Sequence, residues 1–126
     1  MTQSPSRLAP PLSAARQVGD LLFVSGQLPR GADGEIVDGD IVVQTRRSLA
    51  NLQTVLAAHG AQTSDVVKVT AWLTDPSHMS GFNAAYSETF KPPYPARSVV
   101  ISGLIAGDVE IEAIAQRPQP LATARD

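Results

Sequence analysis

From Asp40 onward the apolar and methyl-bearing side chains fall on a helical period: Ile41, Thr45, Leu49, Leu52 and Leu56 recur at intervals of four, four, three and four. That spacing puts them along one side of an α-helix, with Arg46, Arg47, Asn51 and Gln53 on the other. Asp40 or Asp38 can cap its first turn, and Gly60 stands where a left-handed residue commonly closes a helix. The period then changes to two. Val67, Val69, Ala71 and Leu73 alternate with Lys68, Thr70, Trp72 and Thr74, which predicts a strand with Trp72 on its less apolar face. Asp75-Pro76 supplies a cap and a first-turn proline for a second helix; its stripe is Met79, Phe82, Tyr86 and Phe90, and Pro92-Pro93 ends it.

Shorter runs at either end complete the pattern. Gly19-Asp20 separates Val18 from Leu21-Leu22-Phe23-Val24-Ser25, a hairpin signature, and Gly31, Asp33 and Gly34 mark the loop that follows. Residues 95–101 and 109–115 read as two strands joined around Gly103 and Gly107. The order strand, strand, helix, strand, helix, strand, strand predicts one α+β domain over residues 1–126, with both helices on one face of one sheet. Residues 1–12 and 117–126, which carry prolines and no periodicity, are expected as loose tails. On the last strand Val109, Ile111, Ala113 and Ala115 share the face that should meet the helices, whereas Glu110, Glu112 and Ile114 share the other. Val18, Phe23, Trp72, Val100 and Ile114 are then left on an uncovered face, which predicts a homo-oligomer.

Composition narrows the function. A chain of 126 residues with 43% apolar and 17% charged residues has the makings of one packed domain. It contains no cysteine, so thiol nucleophiles, thiolate metal sites and disulfides are excluded; a cytoplasmic setting is expected. Its apolar runs fall short of a bilayer span, so no membrane partner is expected. The net charge of −2 offers no broad basic field, so no nucleic-acid partner is expected either. His59 and His78 are far apart and lack an acidic cluster, which gives no metal motif. Ser25 is not set in a nucleophile elbow.

Two charges remain to be explained. Arg97 and Glu110 each open a strand-like run, where a charge is costly unless solvated or paired. Arg97 is expected near Glu110 on the neighbouring strand, where its planar fork could bind a small carboxylate in a cleft between subunits. The plainer alternative is a cross-strand or inter-subunit salt bridge.

Pro95-Ala96-Arg97-Ser98, followed by Val109-Glu110-Ile111-Glu112-Ala113-Ile114-Ala115, resembles the C-terminal signature of the Rid (reactive intermediate deaminase, YjgF-like) family. Residues 18–29, the helix segment from Gln44 to Leu52, and Phe82-Asn83-Ala84-Ala85-Tyr86 resemble it in register, so the likeness spans about residues 10 to 116. The resemblance implies a chorismate-mutase-like fold with a mixed sheet, and a homotrimer with sites in clefts between subunits. It implies hydrolysis of enamine or imine intermediates, such as 2-aminoacrylate and 2-iminopropionate, to a 2-keto acid and ammonia, with no cofactor. By the same resemblance Arg97 holds the substrate carboxylate and Glu110 places or activates water. Ser25, Gly26, Asn83 and Val99 are implied as cleft residues. Leu12 falls at the position where many deaminase-type members carry a tyrosine, within Pro10-Pro11-Leu12-Ser13-Ala14 rather than Gly-Pro-Tyr-Ser-Gln. The segment between Val99 and Val109 is also about two residues shorter than in typical members. These departures leave an alternative: a non-catalytic trimer that binds small carboxylates or 2-keto acids.

Overall fold

Gly19, at φ 59°, takes the left-handed conformation that closes the expected hairpin between β1 (Ala15–Val18) and β2 (Leu21–Gln27). The computed structural model describes residues 9–117. The loop after the hairpin leads to α1 (Ile41–Ala58), whose N-cap Asp40 accepts a bond from the Val43 amide at 3.0 Å. Gly60, at φ 76°, follows the C-cap in the left-handed conformation expected for it. Next come β3 (Val66–Leu73), a short 3-10 turn at Pro76–His78 capped by Asp75, α2 (Met79–Thr89), β4 (Ala96–Ile101) and β5 (Val109–Gln116).

The five strands form one mixed sheet in the order β1-β2-β5-β3-β4. All neighbours pair antiparallel except β3 and β4, which are parallel and joined by the α2 crossover. Both helices cover one face. Leu49, Leu52 and Leu56 of α1 and Phe82 of α2 are buried against Val69, Ala71, Leu73, Val109 and Ile111. The expected split of β5 holds, with Val109, Ile111, Ala113 and Ala115 buried and Glu112 exposed on the other side. Val18, Phe23 and Val100 are exposed, and Trp72 and Ile114 are half-buried, so the uncovered apolar face is present.

Two expectations change. The strand pattern put Val67 on the apolar face, but a register shift between Val66 and Lys68 buries Val66 and leaves Val67 exposed. More consequential, β4 is not the neighbour of β5, because β3 lies between them. Arg97 is in register with Val69 and Glu110 with Trp72. Val69 faces the helices and is fully buried, whereas Trp72 faces the open side, so Arg97 and Glu110 sit on opposite faces of the sheet. Two strand spacings across and three residues along separate their Cα atoms by about 14 Å. A cross-strand salt bridge within one chain is ruled out by that placement.

Candidate functional site

Glu110 belongs to a cluster on the open side of the sheet. The neighbouring β2 has a register shift between Val24 and Gln27, and Gly26 falls within it. A Cβ at Gly26 would overlap the Glu110 carboxylate, so glycine is what lets the carboxylate lie against the backbone. Burial, and secondly the negative charge of Glu112, raise the Glu110 pKa above the ordinary carboxylate range. Ser25 adjoins this contact, but its hydroxyl donates to the Ser13 carbonyl at 2.6 Å and its amide to the Ala14 carbonyl at 2.9 Å. Its visible role is to tie the 12–14 segment to β2. Leu12, just before that tether, is 66% exposed.

Arg97 belongs to a second cluster, built with α2. Its Nη1 donates to the Asn83 Oδ1 at 2.8 Å, and its guanidinium carbon lies 4.8 Å from the Tyr86 ring centroid and 5.5 Å from that of Phe82. No carboxylate among the described residues pairs with it. The guanidinium is therefore oriented by one hydrogen bond and two ring faces, while donors remain for an incoming anion. Val99, two residues on, turns its side chain into the core, leaving only its backbone on the sheet edge. The structure thus places Gly26, with Ser25 next to it, against Glu110, and Asn83 against Arg97, in two clusters where the sequence reading expected one cleft, and Leu12 stands just before the Ser13 tether.

Tyr86, Ser87, Tyr94 and Pro95, not anticipated from the sequence as site residues, line the Arg97 side. Asn83, Tyr86, Ser87, Tyr94, Pro95 and Arg97 enclose a groove of ≈ 350 Å³. Tyr86 is buried, its hydroxyl has no hydrogen-bond partner, and burial raises its pKa against the opposing influence of Arg97. The signal that could have found the groove is Tyr94, an aromatic ring between two prolines immediately before Arg97.

A third network fixes the loop that leads into Glu110. Asp108 accepts from the Thr74 hydroxyl at 2.8 Å and the Gln44 amide at 3.1 Å, while its own amide donates to the Gln44 Oε1 at 2.8 Å. These bonds lower the Asp108 pKa, Thr74 first and Gln44 second. No cluster of three histidine, aspartate or glutamate side chains suited to a metal occurs among the described residues. His59 lies 2.9 Å from the Val55 carbonyl and His78 4.0 Å from Asp108, far from any such set. No described helix is long and apolar enough to cross a membrane.

Comparison with known proteins places these clusters in context. Residues 1–117 match the family model described as Endoribonuclease L-PSP. A RutC family protein of Pyrococcus abyssi is 44% identical over 110 residues, covering 85% of this chain and 87% of that one. Protein DfrA of Myxococcus xanthus is 43% identical over 118 residues, covering 90% and 89%. Among solved structures, RidA from an Antarctic Psychrobacter superposes with a TM-score of 0.81 at 32% identity, covering 86% of this chain and 90% of that chain. With the sheet order, the two helices and this similarity across most of its length, the chain belongs to the Rid/YjgF family.

Proposed function

We propose that the protein is a hydrolytic deaminase of small 2-imino acids and their enamine tautomers, working as a homotrimer with each site completed by two chains. The observation that carries this reading is the separation of Arg97 and Glu110 on opposite sheet faces, each half-prepared for chemistry. Arg97 is oriented and has no carboxylate partner among the described residues. Glu110 is partly desolvated and holds a proton more readily than an ordinary glutamate. The uncovered apolar face supports association that would bring one chain's edge strand β4 against another chain's Glu110.

In such a cleft Arg97 binds the substrate carboxylate through two parallel hydrogen bonds, which orients the imine carbon. That carbon is already electrophilic. Glu110 takes a proton from the attacking water as the C–O bond forms and passes it to nitrogen. It then carries the proton of the resulting carbinolamine hydroxyl to nitrogen as the C=O bond forms and the C–N bond breaks. Water and imine are consumed, and a 2-keto acid and ammonia leave. No step in this cycle calls for a cofactor.

The test uses 2-iminopropionate generated by an amino-acid oxidase. Wild type should accelerate its hydrolysis, and Arg97→Ala and Glu110→Gln should each abolish the acceleration with the oligomer intact. Mixing the two inactive variants should restore about a quarter of the sites, since half the chains carry Arg97, half of their neighbours carry Glu110, and the two probabilities multiply. No restoration in a mixture refolded together, so that chains exchange, would overturn the two-chain site, and no wild-type acceleration would end the deaminase reading. Leu12, an exposed side chain without a hydroxyl, favours a second reading in which the cleft binds 2-keto acids without turnover. Calorimetric binding without catalysis would select it. An RNA-cleaving role, suggested by the family model's name, finds little support in a net charge of −2.

A further inference from the structure

We infer that the groove beside Arg97 is a side-chain pocket, and that Tyr94 makes it select 2-imino or 2-keto monocarboxylates whose side chain is apolar and bulkier than methyl. This rests on the reading of Arg97 as the carboxylate anchor. Arg97 is part of the groove wall, so a carboxylate held there leaves the rest of the ligand beside the other lining residues.

Size is the first argument. At the ~30 Å³ that a water occupies in the liquid, the six heavy atoms of 2-iminopropionate fill about 180 Å³. The groove, at ≈ 350 Å³, has room for a side chain larger than methyl.

The chemistry of the walls is the second. Apart from Arg97, no charged side chain lines it: the Asn83 Oδ1 accepts from Arg97, the Ser87 hydroxyl donates to the Ala84 carbonyl at 2.9 Å, and the Tyr86 hydroxyl is buried. The apolar surface offered to a side chain is the Tyr94 ring and the Pro95 ring. A second carboxylate on the ligand would lose water and find no second cation in the lining, which selects against acidic side chains.

Presentation is the third. Tyr94 stands between Pro93 and Pro95 and is 60% exposed. Proline fixes its own φ and holds the residue before it extended, so the ring is offered to a ligand with little backbone entropy left to lose. The ring does not fill the core, and a ligand's apolar side chain gives it a surface to cover.

The test compares kcat/KM for imines made by amino-acid oxidase from alanine, leucine, phenylalanine and glutamate. Extra methylenes in an apolar pocket are worth about 10–200-fold. Wild type should therefore favour the leucine- and phenylalanine-derived imines over the alanine-derived one by at least about tenfold, and reject the glutamate-derived one. Tyr94→Ala should collapse that preference and Tyr94→Phe should keep it, because the ring and not the hydroxyl does the selecting. Equal rates for all side chains in wild type, or a preference that survives Tyr94→Ala, would overturn the inference. So would dissociation of the oligomer by Tyr94→Ala in sedimentation, which would make the ring a subunit contact. If wild type turns over no imine, the deaminase reading fails separately, and calorimetry decides the pocket. 4-Methyl-2-oxopentanoate should bind more tightly than pyruvate and lose that advantage in Tyr94→Ala, whereas absence of binding or of a difference would overturn the pocket as well.

Discussion

Gly26→Ala isolates the contact that positions Glu110. The new methyl would lie 2.9 Å from the Glu110 Cδ and 3.1 Å from its Cγ, against a comfortable carbon–carbon separation of about 3.5–4.0 Å. Gly26 is not among the glycines with positive φ, so alanine fits the backbone and only the side chain of Glu110 has to give way. A displaced or off-rotamer glutamate costs about 0.5–1.5 kcal/mol. The lower chain entropy of unfolded alanine returns about 0.4–1 kcal/mol. The net stability change is thus within about 1 kcal/mol, a shift of a few degrees in Tm. Activity should respond far more, since moving a reacting group by about 1 Å can cost about 100-fold. Imine turnover, thermal melting and sedimentation on the same preparation separate the two effects. Turnover within about threefold of wild type would refute the claim that Gly26 sets the carboxylate.

Phe23→Asp puts a carboxylate on the open sheet face and should shift the sedimenting species to monomer with helical circular dichroism retained; an unchanged mass would refute the use of that face. Glu110→Gln should raise Tm at pH 7 but not at pH 4. A raised carboxylate pKa adds stability that is fully present below the ordinary value and lost as pH rises through the raised one, and glutamine mimics the protonated form. Asp108 has the opposite sign: its lowered pKa adds stability above the ordinary value that is lost as pH falls through the folded one. Amide exchange in residues 102–108 should therefore quicken on acidification, and Thr74→Val, which removes the first-ranked hydrogen bond, should shrink that dependence; a pH-independent rate after correction for intrinsic exchange would refute it. Thr45→Val should stabilise by about 1–3 kcal/mol, because the Thr45 hydroxyl is buried without a partner and the branched shape is kept; a lower Tm would refute it.

The helices and strands were legible because their periods differ, and each period states which side faces the core. Leu49, Leu52 and Leu56 at three- and four-residue spacing could face only one layer. The Glu110, Glu112 and Ile114 alternation assigned the open face correctly for the same reason. Strand order carries no such signal. A pleated strand presents the same two faces whichever neighbour it pairs with, so nothing in residues 95–101 distinguishes pairing with β5 from parallel pairing with β3. The failure at Val67 is similar, because a register shift resets the alternation without any change of composition. Tyr94 escaped notice because a single aromatic between prolines has no period at all.

Strand order also explains how Arg97 and Glu110 can both be carried without pairing within the monomer. Were β4 beside β5, Arg97 and Glu110 could pair within a chain, and a substrate would have to displace an existing ion pair to bind. With β3 between them and opposite faces presented, neither satisfies the other. Arg97 instead rests on Asn83 and two aromatic rings, and Glu110 rests on the backbone at Gly26. Both supports are uncharged, so each charge keeps its capacity to bind an anion or accept a proton until a second chain and a ligand arrive. In the proposed cleft the substrate carboxylate also neutralises Arg97, which removes a cation that would otherwise lower the Glu110 pKa. The carboxylate is then most basic when a bound imine makes proton transfer useful.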